Sequence, residues 1–173
     1  MDFWTAANLG LPSEVDRPPV HLTVLPLFHT AGLNAYGNVV VHAGGTNLVL
    51  REFDAARMLA LLRDPALGIT HTYMVPSGYQ FMAELPEFAE ATFPALRIAG
   101  TGGSPVARPL LEAWAARGVA LQQGYGMTET SPTVMLIDAD RAVEKLGSAG
   151  LPALHTEVRL VGPDGREVAE PGV

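Results

Sequence analysis

Apolar positions recur along the chain in short blocks that switch between the twofold spacing of a strand and the 3.6-residue spacing of a helix. Residues 21–27 are mostly β-branched or aliphatic and end around Pro26, which reads as a short buried strand. The small residues of 30–41 suit a tightly packed helix that stops at Gly44-Gly45. Residues 46–50 read as a second strand, and Asp54 stands where an N-cap would open a helix with Met58, Leu59, Leu61 and Leu62 on its apolar face. Residues 69–75 are strand-like again, and Pro76-Ser77 opens a helix through Phe81, Met82 and Leu85 that Pro86 closes. Residues 96–99 form a strand leading into Gly100-Thr101-Gly102-Gly103-Ser104-Pro105, and Pro105 suits the first turn of a helix over 106–117 because its missing N–H would be unpaired there. Residues 119–122 make the next strand, ending at Gly124-Tyr125-Gly126.

Repeated strand–helix units predict an α/β fold, a mainly parallel sheet flanked by helices, in which ligands sit at the carboxyl ends of strands. Both glycine-bearing segments fall at such ends. Beyond Ala139 the pattern changes: residues 157–161 alternate polar and apolar, Pro163-Asp164-Gly165 marks a turn, and 166–168 returns, a β-hairpin signal. The expected division is 1–151 as the α/β part and 152–173 as the hairpin that starts a further subdomain.

The 173 residues are enough for one core, and 48% hydrophobic against 17% charged residues puts the chain among globular proteins. Acidic residues outnumber basic ones 18 to 11, and no Lys/Arg cluster offers a nucleic-acid footprint. The formal charge of -7 means that any phosphate ligand needs a divalent metal or backbone N–H groups to offset repulsion. With no cysteine, a disulfide framework, a thiolate zinc site and a Cys nucleophile are excluded together. Met1 to Gly10 lacks a basic start and a long apolar stretch, so it does not read as a signal peptide. The most apolar stretches are interrupted by His42, Gly44, Gly45 and Asn47, short of the ~20 residues a membrane span needs. A cytoplasmic protein fits these features.

The most informative run is Gln122-Gln123-Gly124-Tyr125-Gly126-Met127-Thr128-Glu129. It puts a flat aromatic, a hydroxyl and a carboxylate next to a strand-end glycine turn. A Tyr face can stack a purine, glycines admit close backbone approach, a Thr hydroxyl can donate to a phosphate oxygen and a Glu can hold Mg²⁺.

That run resembles the "YGxTE" motif of adenylate-forming enzymes, the AMP-dependent group that includes acyl-CoA synthetases, luciferases and peptide-synthetase adenylation domains. Leu25-Pro26-Leu27-Phe28-His29 resembles the family's "LPxFH" segment, Gly102-Gly103-Ser104-Pro105 its "GGxP" segment, and Gly147-Ser148-Ala149-Gly150-Leu151-Pro152 its "GSxGxP" segment, in the family's order. The resemblance implies an acid–thiol ligase: a fatty or aromatic carboxylic acid reacts with ATP to give acyl-AMP, and CoA then takes the acyl group. It further implies that Tyr125 stacks adenine and that the backbone of Gly102, Gly103 and Ser104, with Pro105, closes the other side. Gln123 and Gly124 would sit at the acyl-adenylate, with Gly126 and Met127 alongside. Thr128 would contact phosphate, Glu129 would hold Mg²⁺, and His29 would stand by the carboxylate and α-phosphate. Leu154-His155 departs from the Pro-Gly pair often found there.

The same resemblance places a Ser/Thr/Gly-rich phosphate loop ahead of the "LPxFH" segment, and a ribose-binding Asp and a lysine-bearing C-terminal lid domain beyond the hairpin. None of these is found in the chain, so the expectation is a ligase piece inactive on its own. The competing reading is a non-catalytic remnant that binds nucleotide or, through open sheet edges, another protein. Other chemistries fit less well. The third glycine of a dinucleotide fingerprint is replaced by Pro105; Gly-Lys-Ser/Thr and Gly-x-Ser-x-Gly are absent; and His21, His42, His71 and His155 have no ligand-like spacing.

Overall fold

The structure, a computed structural model, describes residues 18–153 and 155–168. The leader reading at Met1 to Gly10, Leu154 of the departing pair and residues 169–173 of the expected hairpin subdomain lie outside the described residues.

The chain forms β1 (Val20–Thr23), a π-helical turn (Ala31–Ala35), α1 (Gly37–His42), β2 (Thr46–Val49), α2 (Ala55–Arg63), β3 (His71–Met74) and α3 (Pro76–Ala83). It continues through β4 (Ile98–Thr101), α4 (Arg108–Ala115), β5 (Leu121–Gly126), a 3-10 turn (Thr128–Thr130), β6 (Thr133–Leu136) and β7 (Leu151–Pro152). The seven strands make one sheet in the order β2-β1-β3-β4-β5-β6-β7. Pairing is parallel from β2 to β5 and antiparallel for β5–β6 and β6–β7. The mainly parallel α/β architecture read from the sequence is therefore the architecture observed.

Period-two alternation sorts the strand residues between two layers. Leu22, Met74, Ala99 and Leu121 face α2, α3 and α4 and join Met58, Leu62, Tyr79, Met82 and Trp114 in the main core. Ile98 and Tyr73 face the other way, onto Ala35, Tyr36 and Val39 of the π-helical turn and α1. The main core satisfies its own polar atoms: the Tyr79 hydroxyl donates to the Gly100 carbonyl (2.9 Å) and the Trp114 indole N–H to the Tyr79 carbonyl (3.2 Å). Asp54 caps α2, its carboxylate accepting from the Arg57 N–H at 2.7 Å.

Several boundaries differ from the sequence reading, each for a local reason. The first strand ends at Thr23, because the Pro26 carbonyl accepts from the His29 N–H (3.0 Å) in a turn that leaves Leu27 and Phe28 exposed. The expected helix over 30–41 is broken at Tyr36, whose φ of -126° departs from helical values between the π-helical turn and α1; its ring is buried. The helix expected from Val106 starts at Arg108, so Pro109, not Pro105, occupies its first turn. The buried Val106 is held outside the helix because its N–H donates to Gln123 Oε1 at 3.0 Å. The expected strand over 119–122 runs on to Gly126, and the antiparallel pattern begins at Thr133 rather than beyond Ala139. The Pro163-Asp164-Gly165 turn is present, but its arms share a single bridge, Val161 with Glu167.

Candidate functional site

At the carboxyl ends of the parallel strands lies a cavity of about 320 Å³. One wall is the segment from His29 into the π-helical turn; the other is the β5–β6 ribbon with the turn that follows β5. π-Helical turns are rare and concentrate at functional sites, and this one puts Ala31 and its N-cap residue Thr30 at the cavity edge.

The ribbon sets the second wall. β5 pairs with β4 only as far as Gln123, and Gly124, Tyr125 and Gly126 project beyond it, paired with Leu136, Met135 and Thr133. The register slips between Tyr125 and Gly126, a bulge that re-aims the strand end. Gly126 is required there: a Cβ would lie 1.6 Å from the Pro132 carbonyl oxygen. Tyr125 is half exposed and lines the cavity rather than packing in the core.

The turn after β5 is tied by Thr130, whose Oγ1 accepts from the Met127 N–H at 3.0 Å. Thr128 and Glu129 stay exposed and line the cavity. Opposite, the His29 Nδ1 accepts from the Ala31 N–H at 3.1 Å, which leaves Nε2 as the protonated nitrogen of the neutral ring and a donor for an anionic oxygen.

Of the residues singled out in the sequence, His29, Gly103, Gly124, Tyr125, Gly126, Met127, Thr128 and Glu129 come together around this cavity. Gly102, Ser104, Pro105 and Gln123 are not among its lining. Gln123 instead braces the loop after β4 through Val106, and Gly102 lies buried at the end of that strand's hydrogen-bonded run. Among the described residues no Lys or Arg lines the cavity. Among the described residues no group of three metal-ligating side chains forms, so Glu129 stands as a single carboxylate. That fits Mg²⁺, which takes one or two carboxylates and completes its shell with phosphate oxygens and water.

Sequence reasoning missed Ala35, Tyr36, Tyr73 and Leu136, which close the inner part of the cavity. Burial pushes the Tyr73 hydroxyl up to about 12, and burial, with Tyr73 adding to it, pushes that of Tyr36 far above the ordinary tyrosine range. Both rings are therefore uncharged at neutral pH. Behind them His21 is lowered to about 4, chiefly by burial and further by His71, against the opposing hydrogen bond to Asn47.

Fold and site together define a mainly parallel α/β domain with its ligand cavity at the carboxyl edge of the sheet. Within that class the chain belongs to the AMP-binding enzyme family, which it matches over residues 3–173. It is 35% identical over 165 residues to a feruloyl-CoA synthase of Amycolatopsis sp., covering 95% of this chain and 33% of that protein. It is 35% identical over 146 residues to the long-chain-fatty-acid–CoA ligase FadD13 of Mycobacterium tuberculosis, covering 83% and 28%. Among solved structures, the O-succinylbenzoate coenzyme A synthetase of Bacillus subtilis in complex with ATP and magnesium ion superposes with a TM-score of 0.77 at 27% identity, over 98% of this chain and 34% of that one. The chain thus spans about a third of the length of the curated relatives it matches.

Proposed function

We propose that the chain carries the adenine-facing and metal-facing part of the adenylation site of an acid–CoA ligase. In that reaction a carboxylate oxygen of a fatty or aromatic acid attacks the α-phosphorus of ATP. The bond to the pyrophosphate oxygen breaks, and the CoA thiol then displaces AMP from the acyl-adenylate to give the thioester. The observation that carries this reading is the convergence of His29, Gly103, Tyr125, Thr128 and Glu129 on one cavity, although the chain separates them by up to a hundred positions.

On this reading Tyr125 presents its ring to adenine from one side. Gly103 bounds the other, and the Gly102, Ser104 and Pro105 that flank it shape the loop that carries it. Gly124, Gly126 and Met127 shape the floor beside the acyl-adenylate, and Gln123 serves it by bracing the loop after β4. The Thr128 hydroxyl donates to a phosphate oxygen, and His29 Nε2–H donates near the carboxylate and α-phosphate. Glu129 would hold Mg²⁺, which supplies charge neutralisation at the phosphates when bound. No protein nucleophile takes part; catalysis is positioning and electrostatics. The stretch beyond Pro152 would open the next subdomain, and a cytoplasmic setting with ATP and CoA suits the reaction.

Calorimetry of the chain with AMP tests the reading. Millimolar binding that Tyr125→Ala weakens about tenfold, the scale of one lost stacking contact, supports it. Binding unaffected by Tyr125→Ala, or none at all, overturns it. The names of the two relatives above point one to an aromatic acid and the other to a long-chain fatty acid, so they do not divide the substrate class.

A further inference from the structure

Gly100 of β4 and Gly102, just past its end, lie on the face that looks toward the π-helical turn, and two successive missing side chains leave a trough along the sheet. An extended chain entering the cavity could follow this trough beneath α1 toward the amino ends of the strands. It is filled. The Tyr36 hydroxyl lies 2.1 Å from where a Cβ on Gly100 would stand, and the Tyr73 hydroxyl 2.3 Å from where one on Gly102 would stand. The two rings meet at a centroid separation of 5.1 Å, tilted by 59°.

Tyr36 has no room to retract, and Tyr73 is held at its backbone. Tyr36 is 3% exposed, with His21 behind it at 5.7 Å and His71 edge-on at 6.3 Å. Tyr73 is anchored in β3, paired with Gly100 across the strands. Both rings still line the cavity, so a ligand entering past His29 meets aromatic surface at its inner end. Leu136, on the ribbon side, adds a flat apolar flank beside Gly124.

We infer that Tyr36 and Tyr73 form the end wall of the acid pocket and select a short, flat carboxylic acid, aryl or arylalkenyl, over a long alkyl chain. The inference rests on the acid-activating reading proposed above and adds the substrate class to it. A planar ring fits a slot that ends in tyrosine faces and edges, and gains ring–ring contact there. An alkyl chain of a dozen carbons cannot pass the wall without displacing Tyr36 from the glycine it covers.

The test uses this chain and three separate titrations followed by ligand-observed NMR: cinnamate, dodecanoate, and AMP as a report on the nucleotide side. Cinnamate is expected to bind at least about tenfold more tightly than dodecanoate, the discrimination a shaped apolar pocket achieves. Tyr73→Ala and Tyr36→Ala are expected to shrink or reverse that ratio. Dodecanoate binding as tightly as cinnamate overturns the inference, as does binding of AMP with neither acid bound. Cinnamate binding without AMP binding leaves the wall standing and removes the ligase reading instead. The wild-type ratio needs no variant, so failure of Tyr36→Ala to fold leaves the outcome decisive.

Discussion

His21 shows what a single buried side chain does to the behaviour of the protein. Asn47 Nδ2 donates to the Gly37 carbonyl at 2.9 Å, so its Oδ1 is the atom facing His21 Nδ1 at 2.8 Å and accepts that proton. The ring is thereby held as the Nδ1–H tautomer, with Nε2 buried and unpartnered among the described residues. His71 and the uncharged Tyr36 and Tyr73 are the titratable groups packed on this face, and none offers a negative charge to a protonated His21. Its pKa is lowered from 6.5 to about 4, so between these values the unfolded chain binds the proton and the folded chain does not. Stability contributed by the neutral ring is full above pH 6.5 and is lost as pH falls toward 4. The expected loss is roughly 3 kcal/mol across that window, one pKa unit being about 1.4 kcal/mol. Urea midpoints measured from pH 7 down to pH 4.5 should fall, and His21→Leu should flatten the fall; a wild-type midpoint independent of pH would refute this account. Tyr36, next to His21, is equally a residue whose importance has no local signature: it stands at the break between the π-helical turn and α1, with its ring buried.

At the scale of elements, the β5–β6 ribbon is the part whose geometry the site depends on. It projects past the parallel sheet, carries Tyr125 on one strand, and closes through a bulge and the Thr128–Thr130 turn. Gly126→Ala places a methyl group 1.6 Å from the Pro132 carbonyl oxygen, a backbone atom that cannot yield without opening the pairing. The expected result is a loss of about 1–3 kcal/mol, the scale of overpacking, together with loss of AMP binding; a variant with native midpoint and native AMP affinity would show that the ribbon is not held as described. The glycine run and its Tyr, Thr and Glu were legible in the sequence because these residues are neighbours and the motif is local. The parallel α/β core was legible because alternating periods and the Asp54 and Pro76 helix starts are local too. β6 was not recognised, although its buried Val134 and Leu136 alternate with half-buried positions, because four residues give too short a signal. The π-helical turn, Pro109 as the true opening proline of α4 and the inner wall of Tyr36 and Tyr73 escaped for another reason. Each depends on a contact between elements: Gln123 with Val106, or one tyrosine against a glycine of a neighbouring strand.

For the whole molecule, charge decides what the cavity accepts. The chain carries a formal charge of -7, the cavity is lined by no Lys or Arg among the described residues, and Glu129 adds a negative group at its edge. Exposed charges beyond roughly a Debye length are screened, about 10 Å at 0.1 M salt, so the local deficit of cationic side chains matters more than the net value. A triphosphate therefore meets repulsion unless a divalent cation accompanies it, whereas AMP, with fewer charges, meets less. ATP binding to this chain is expected to weaken at least about tenfold on replacing Mg²⁺ by EDTA, a change of about 1.4 kcal/mol, while AMP binding changes little. Glu129→Gln should remove most of that difference. The same lack of cations bears on turnover, because loss of one preorganised donor to the charge developing in a transition state costs ~3 kcal/mol or more. With an acid, CoA and Mg-ATP present, pyrophosphate release by the chain is therefore expected to stay at blank level even though the nucleotide binds. Calorimetry and a pyrophosphate assay on one preparation separate the two statements: ATP affinity indifferent to EDTA would refute the metal dependence, and pyrophosphate above blank would show that this cavity suffices for adenylation.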